Sequence, residues 1–273
     1  NPTLLYATYR RRLVLIQWLV IAAIASALLG LWRLWQTWRD QTRLNEMKSN
    51  LVSSVSHELM APIAAVRLMA ESLESARVEG AEKQKDYYRL IVRECSRLSS
   101  LVENVLDFSR IDQGRKQYRF ESLDALALLR HTVMLMEPGA AERRVRLRLV
   151  DPPAEFADLQ PSWDSEAIEQ SLVNLLDNAI KHSPADSEVR VEVELLPALV
   201  RFWIIDNGPG IPPEEHHKIF DLFYRYGSEL RRETEGAGIG LSIVKHAAEA
   251  HGGRVIVESA VGRGSRFGLE LPR

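Results

Sequence analysis

Apolar residues fall along this chain in three rhythms. From Leu13 to Trp32 no residue is charged, and Gln17 and Ser26 are the clearly polar members. About 20 such residues in a helix reach roughly 30 Å, the thickness of a bilayer's hydrocarbon, so this stretch predicts a transmembrane helix. Trp18 stands near one end, and Trp32, Trp35 and Trp38 crowd the other, as in an interfacial aromatic belt. A helical rhythm follows from about Asp40: Leu44, Met47, Leu51 and Val55, then Ile63, Val66, Met69 and Leu73. Their spacing of three or four predicts one long helix to about Arg77. Val78–Ala81 breaks it. A second helix is predicted from about Glu82 to Asp112, with Tyr87, Ile91, Leu98, Leu101, Val105 and Phe108 as its stripe and Gly114 as its stop. Two amphipathic helices with a short connector make an antiparallel hairpin. One hairpin buries one narrow stripe on each helix, so a four-helix bundle in a homodimer is expected. In that bundle Leu51, Val55, Leu59, Ile63 and Val66 face inward, and His57 faces solvent.

Beyond Gln117 the rhythm alternates. Arg144–Val150, Glu188–Leu196, Leu199–Asp206, Arg254–Ser259 and Ser265–Leu271 read as strands, and helices are predicted near Leu123–Glu137, Asp164–His182 and Ile239–Ala250. The mixture predicts an α/β sandwich with helices on one face of a mixed sheet.

Composition changes this picture little. The 273 residues suggest about two domains, and the 46% hydrophobic and 26% charged content is that of a folded protein. A net charge of −2 gives no global field for nucleic acid, and none is expected as a partner. Cys95 is the single cysteine and cannot form an intrachain disulfide. Basic residues flank the apolar stretch on both sides, Arg10–Arg12 before it and Arg33, Arg39, Arg43 and Lys48 after it, which leaves its orientation open. Because the chain begins at Asn1 rather than Met, a fragment of a longer protein is expected, with an earlier span missing.

Candidate chemistry begins at Ser56-His57-Glu58-Leu59-Met60-Ala61-Pro62. Pro62 inside a helical run is expected to kink it and to free backbone groups one turn back, beside His57. A solvated His on a helix face is the plainer reading of His57 taken alone. Four clusters follow. Asn174, Asn178 and Lys181 fall at i, i+4 and i+7 on one helix face. Asn carbonyl oxygens suit a hard cation such as Mg²⁺, and Lys suits phosphate. Asp206-Asn207-Gly208-Pro209-Gly210 follows a strand, where the carboxylate can accept from an exocyclic amine such as that of adenine and Gly208 and Gly210 allow a close backbone approach. Gly236, Gly238 and Gly240 open a helix, whose N–H groups suit phosphates. Phe220, Phe223 and Arg225 precede that loop, and the segment from Tyr226 to Glu235 reads as a mobile lid, with Arg225, Arg231 or Arg232 near the phosphates.

These strings, with the Gly262–Ser265 hairpin, resemble in type and order the membrane sensor histidine kinases of two-component signalling. The resemblance covers the chain from about Met47 to its end. It implies a dimerisation and phosphotransfer hairpin (36–114) and a catalytic ATP-binding domain (115–273) of the kind shared with gyrase, heat-shock chaperone and mismatch-repair ATPases. It also implies ATP and Mg²⁺ as cofactors, with Asp206 on adenine, Asn174 and Asn178 at the metal, Lys181 on phosphate, and Gly236, Gly238 and Gly240 in the phosphate-facing loop. His57 is then autophosphorylated, with Glu58 as base or imidazole orienter, and passes phosphate to an Asp of a response regulator receiver domain. The family places the kinase domains in the cytoplasm, the span (13–35) in the lipid of the inner membrane, and residues 1–12 at its outer side. Two departures stand out: no linker domain separates Trp35 from His57, and Ala61 replaces the Thr or Asn that orients water in relatives with phosphatase activity, so weak phosphatase activity is expected. A clamp ATPase of the same superfamily would need neither His57-Glu58 nor a span, and a catalytically silent sensor would be told apart by incubation with labelled ATP.

Overall fold

The structure, a computed structural model, describes residues 2–75, 80–222, 224, 226 and 238–273; of residues 2–16, Val20, Ala22, Asp40, 42–54, His57 and Glu58 it describes the backbone alone. The chain divides into two units, residues 1–52 and 53–273.

Helix α1 (Pro2–Glu74) supplies the first unit and opens the second. Within it Gln17–Arg39, 23 residues of mean hydropathy 1.7, is long and apolar enough to cross a membrane. That window starts later than the expected 13–35, whose first four side chains lie outside the described ones, and it takes in the Trp-rich end. Trp32, Trp35 and Trp38 are all exposed, and the Arg39 guanidinium lies 5.4 Å from the ring centre of Trp35. Helix α1 continues unbroken through Pro62, although proline has no N–H to offer the carbonyl of Glu58.

In the second unit, α2 (Ala81–Asp112) starts after Gly80, whose φ of 97° needs glycine. Met60, Ile63 and Leu68 on α1 and Tyr88, Val92, Val102 and Leu106 on α2 are exposed in the single chain. Ile63 was expected inside a bundle of two chains, and one hairpin alone leaves it open.

The remainder is an α/β layer pair. Strands β1 (Glu121–Ser122) and β3 (Ser162–Trp163) form a small antiparallel ribbon. Between them lie α3 (Ala125–Glu142) and β2 (Arg146–Leu149). Then follow α4 (Ser165–His182), β4 (Glu188–Leu195), β5 (Leu199–Asp206), α5 (Gly240–Ala250), β6 (Arg254–Ser259) and β7 (Ser265–Pro272). The main sheet runs β2-β4-β5-β7-β6, with β2 and β4 parallel and the other neighbours antiparallel. Asp124 caps α3 by accepting from Ala127 N–H, and Asp164 caps α4 by accepting from Ala167 N–H. Helix α3 runs past the expected stop at Glu137 through Pro138, because Ala140 is buried against the core.

Alternation decides which sheet face is covered. Val189, Val191, Val200, Phe202, Ile204, Leu269 and Leu271 point at Leu129, Ile168, Leu172, Leu175, Leu176 and Val244 of the helices. The opposite face carries Trp203, only 1% exposed, beneath the guanidinium groups of Arg201 and Arg266, 5.1 and 3.8 Å from its ring centre. Charged side chains close this face where a second helix layer is absent among the described residues.

Candidate functional site

The residues singled out on α4, after β5 and before α5 converge at one end of the sheet. Asp206 is the last residue of β5, and the β5–β7 register sets it opposite Ser265. Its Oδ1 accepts from the N–H of Gly208 at 2.7 Å and from the N–H of Ser265 at 3.1 Å. Burial pushes its carboxyl above the ordinary range, against the pull of those two N–H groups. A buried carboxylate held by two donors at one oxygen has acceptor capacity left at the other. Behind it, Ser259 Oγ accepts from Ile211 N–H and donates to the carbonyl of Gly264, each at 2.8 Å.

The glycines after Asp206 are required by protein neighbours as well. A Cβ on Gly210, whose φ is 72°, would lie 2.0 Å from the carbonyl oxygen of Ala260 in the β6–β7 hairpin. A Cβ on Gly208 would lie 2.8 Å from the carbonyl oxygen of His182. The turn is therefore wedged between α4 and the hairpin, and this fixes the Asp206 carboxylate.

Asn174 and Gly240 meet across the site. A Cβ on Gly240, the first residue of α5, would sit 3.2 Å from Asn174 Oδ1. The Asn174 side-chain nitrogen is buried with no hydrogen-bond partner among the described residues. Leaving such a group unpaired is costly, and its place beside the N-terminus of α5 suits a polar or anionic ligand atom. Asn178 is half-buried one turn on, and Lys181 Nζ lies 2.5 Å from Asp177 Oδ2, so a phosphate at Lys181 would share its ammonium with that carboxylate. Gly238 has a φ of 69° just before the helix.

Phe220, the first of the expected aromatic segment, has a protein contact. Phe220 packs edge-on against Phe267, with ring centres 6.5 Å apart, and borders a groove facing α2. The structure thus gives it a scaffold contact. Phe223, Arg225, Arg231, Arg232 and Gly236, and most of the expected lid, lie outside the described residues, as do the side chains of His57 and Glu58. Tyr224 is described, and its hydroxyl donates to the Glu215 carboxylate. No group of His, Cys, Asp and Glu suited to a metal occurs among the described residues, so a cation here would depend on Asn side-chain oxygens.

Ser265 and Ser259 were not singled out for roles from the sequence. The Gly262–Ser265 string marks a hairpin, but only the strand register places Ser265 against Asp206.

Two families match this chain. Residues 47–114 match the His Kinase A (phospho-acceptor) domain, and residues 163–273 match the histidine kinase-, DNA gyrase B- and HSP90-like ATPases. The sensor-like histidine kinase SenX3 of Mycobacterium tuberculosis is 30% identical over 85% of this chain and 56% of its own length. The alginate biosynthesis sensor protein KinB of Pseudomonas aeruginosa is 32% identical over 85% of this chain and 38% of its own. The chain thus spans about half the length, or less, of these relatives. Among solved structures, full-length ShkA in complex with AMPPNP is similar with a TM-score of 0.57 and 28% identity, over 81% of this chain and 45% of that one. Histidine kinase ThkA in complex with the response regulator TrrA shares the fold, with a TM-score of 0.57 and 24% identity, over 85% of this chain and 63% of that one.

Proposed function

We infer, for a chain that belongs to the sensor histidine kinases by its phospho-acceptor and ATPase domains, that it phosphorylates its own His57 from ATP and passes the phosphoryl group to an Asp of a response regulator. The observation that carries this reading is the buried, unpartnered Asn174 amide nitrogen beside the start of α5, in the same domain as the buried Asp206 carboxylate. A buried carboxylate with acceptor capacity beyond its two backbone N–H contacts suits the adenine amine, and an unpartnered amide beside the start of α5 suits the phosphate end.

A neutral imidazole nitrogen of His57 attacks the γ-phosphorus of ATP. The N–P bond forms, the bond to the bridging oxygen breaks, and ADP leaves. Glu58, next in sequence, takes or orients the proton on the other ring nitrogen. Asn174 and Asn178 would hold Mg²⁺ through their side-chain oxygens, which when bound supplies positive charge to the phosphates. Lys181 adds a cation already held in place by Asp177.

Two finer readings go with this one. The exposed apolar positions Met60 and Ile63 on α1 and Val92 and Val102 on α2 are covered by a second hairpin in a homodimer, and Gln17–Arg39 lies in the lipid of the cytoplasmic membrane with the kinase domains inside. Phosphatase activity toward the regulator is weak, because Ala61 has no side-chain group to hold a water.

Incubation with γ-labelled ATP and Mg²⁺, followed by a purified receiver domain, tests the reading. Label is expected on the kinase first and on the receiver afterwards. Release of labelled inorganic phosphate with none retained on the kinase would instead mark a clamp-type ATPase.

A further inference from the structure

Residues 115–120 join α2 to the ATPase domain, and their polar groups are tied at both ends. On the hairpin side, Lys116 Nζ lies 2.7 Å from Oδ1 of Asp107, a carboxylate on α2 that is 8% exposed and also faces Arg110 at 3.6 Å. On the ATPase side, the Tyr118 hydroxyl lies 2.7 Å from Nδ1 of His246 on α5. The Tyr118 ring stacks on that imidazole with centres 5.9 Å apart and meets His251 edge-on at 5.5 Å. The N–H of Arg119 donates to Asp164 Oδ2 at 2.6 Å, on the carboxylate that caps α4. The two ties touch, because the Lys116 ammonium lies 5.9 Å from the centre of the Tyr118 ring.

The groups are in the right state to hold. Burial, with Asp107 and Asp164 nearby, pushes the Tyr118 phenol up to about 12, so it remains a hydroxyl at physiological pH. Burial holds the His246 imidazole below its ordinary range, with Lys116 acting the same way and Glu249 opposing, which leaves Nδ1 free to accept.

Beyond the linker, the ATPase domain lies along α2 on polar contacts. Gln170 Nε2 donates to Asn104 Oδ1 at 3.1 Å, one helical turn before Asn174, and Arg93 pairs with Glu142 at 2.8 Å. The apolar part of this interface is poorly filled. A groove of about 250 Å³ runs between Phe108 and Ile111 of α2 and Phe220, Leu222 and Ile243 of the domain. An interface of polar contacts around an unfilled groove forgoes much of the packing attraction of a core, so it can open at modest cost. All these contacts are with α2 or the linker, whereas the acceptor His57 is on α1.

We propose that Tyr118 and Lys116 form a latch that keeps the ATPase domain docked on α2, and that its opening sets the rate at which bound nucleotide reaches His57. The rate half rests on the kinase reading above; the docking half does not. Tyr118→Phe removes the hydroxyl and keeps the ring. Asp107→Asn removes the carboxylate that Lys116 grips.

The test uses the full chain in detergent with Cys95→Ser, Asn104→Cys and Gln170→Cys, so that a short bifunctional thiol reagent reports docking. The expected result in either latch variant is cross-linking slowed roughly two- to tenfold, the size of one hydrogen bond. Autophosphorylation kcat at saturating ATP should rise by a similar factor, with nucleotide affinity unchanged. Cross-linking at the parent rate in both variants would overturn the latch. Slower cross-linking with an unchanged or lower kcat would overturn its control of the rate. Absence of label on His57 in the parent chain would sink the kinase reading and with it the rate half, while the cross-linking still judges the latch.

Discussion

The carboxylate of Asp206 accepts the backbone N–H of Ser265 at 3.1 Å, across 59 residues of sequence. The bond ties the end of β5 to the start of β7 and holds a buried charge in place. A carboxyl whose folded-state pKa is raised gains protons on folding, so its ionisation opposes stability, and this loss grows as pH rises through the folded value. Asp206→Asn can keep both N–H contacts through its side-chain oxygen while removing the charge. The variant should melt higher than the parent near neutral pH, and the difference should shrink as the pH is lowered. Its affinity for ATP should fall by at least roughly tenfold, because the amide presents a donor where the adenine amine needs an acceptor. Calorimetry of melting and of nucleotide binding checks both; a lower melting point or unchanged affinity would contradict the role given to Asp206.

On the far face of the sheet, Glu270 is fully buried and gripped by Arg201 and Arg254. Burial pushes its carboxyl up, but the two guanidinium groups more than offset this and hold it below the ordinary range. Its contribution is therefore complete above the unfolded pKa and is lost as pH falls through the folded one. Arg201→Met strips away one cation, takes the Arg201 contact from Glu194, which keeps the Trp203 indole N–H, and leaves Arg254, which is largely exposed. The variant should lose about 3 kcal/mol near neutral pH by urea unfolding, and less at acid pH where Glu270 is protonated. An equal loss at both pH values would mean that packing of Arg201 on Trp203, not charge, is what the substitution removes.

Two glycines at the site should fail differently. A methyl group on Gly210 meets the Ala260 carbonyl, and φ there is 72°, so Gly210→Ala should cost roughly 3 kcal/mol or more and show as lost folding. A methyl group on Gly240 meets only the Asn174 amide at 3.2 Å. Gly240→Ala should keep a near-parent melting point and weaken ATP binding. Similar melting losses in both would show that the α5 start is as tightly wedged as the Asp206 turn.

Ala61 makes a gain-of-function test. Ala61→Thr places a hydroxyl one helical turn after His57, where it can orient a water toward a phosphorylated regulator. Loss of phosphate from a purified regulator should be faster with the unphosphorylated Thr variant than with the parent chain. A fast rate with the parent would overturn the role of Ala61.

Much of this arrangement was legible locally. The bounds of β5 and β6 follow from alternation, and those of α4 from its helical rhythm to within one residue. Asn174 and Asp206 could be singled out because poor helix formers and a strand-end carboxylate need a reason to be where they are. Relations across long stretches of chain were not legible. Ser265 faces Asp206 only through the β5–β7 register, and Tyr118 meets His246 across 128 residues. The two-residue strands β1 and β3 carry no periodicity to read.

The central claim is that His57 takes the phosphoryl group from ATP held by the Asp206–Asn174 site. The most direct measurement maps the label after incubation with γ-labelled ATP, in the parent chain and in His57→Gln, with nucleotide affinity measured in both. The account predicts acid-labile, alkali-stable label on His57 in the parent, none in the variant, and the same affinity in each. Label persisting on the variant, or nucleotide binding lost with the imidazole, would contradict it.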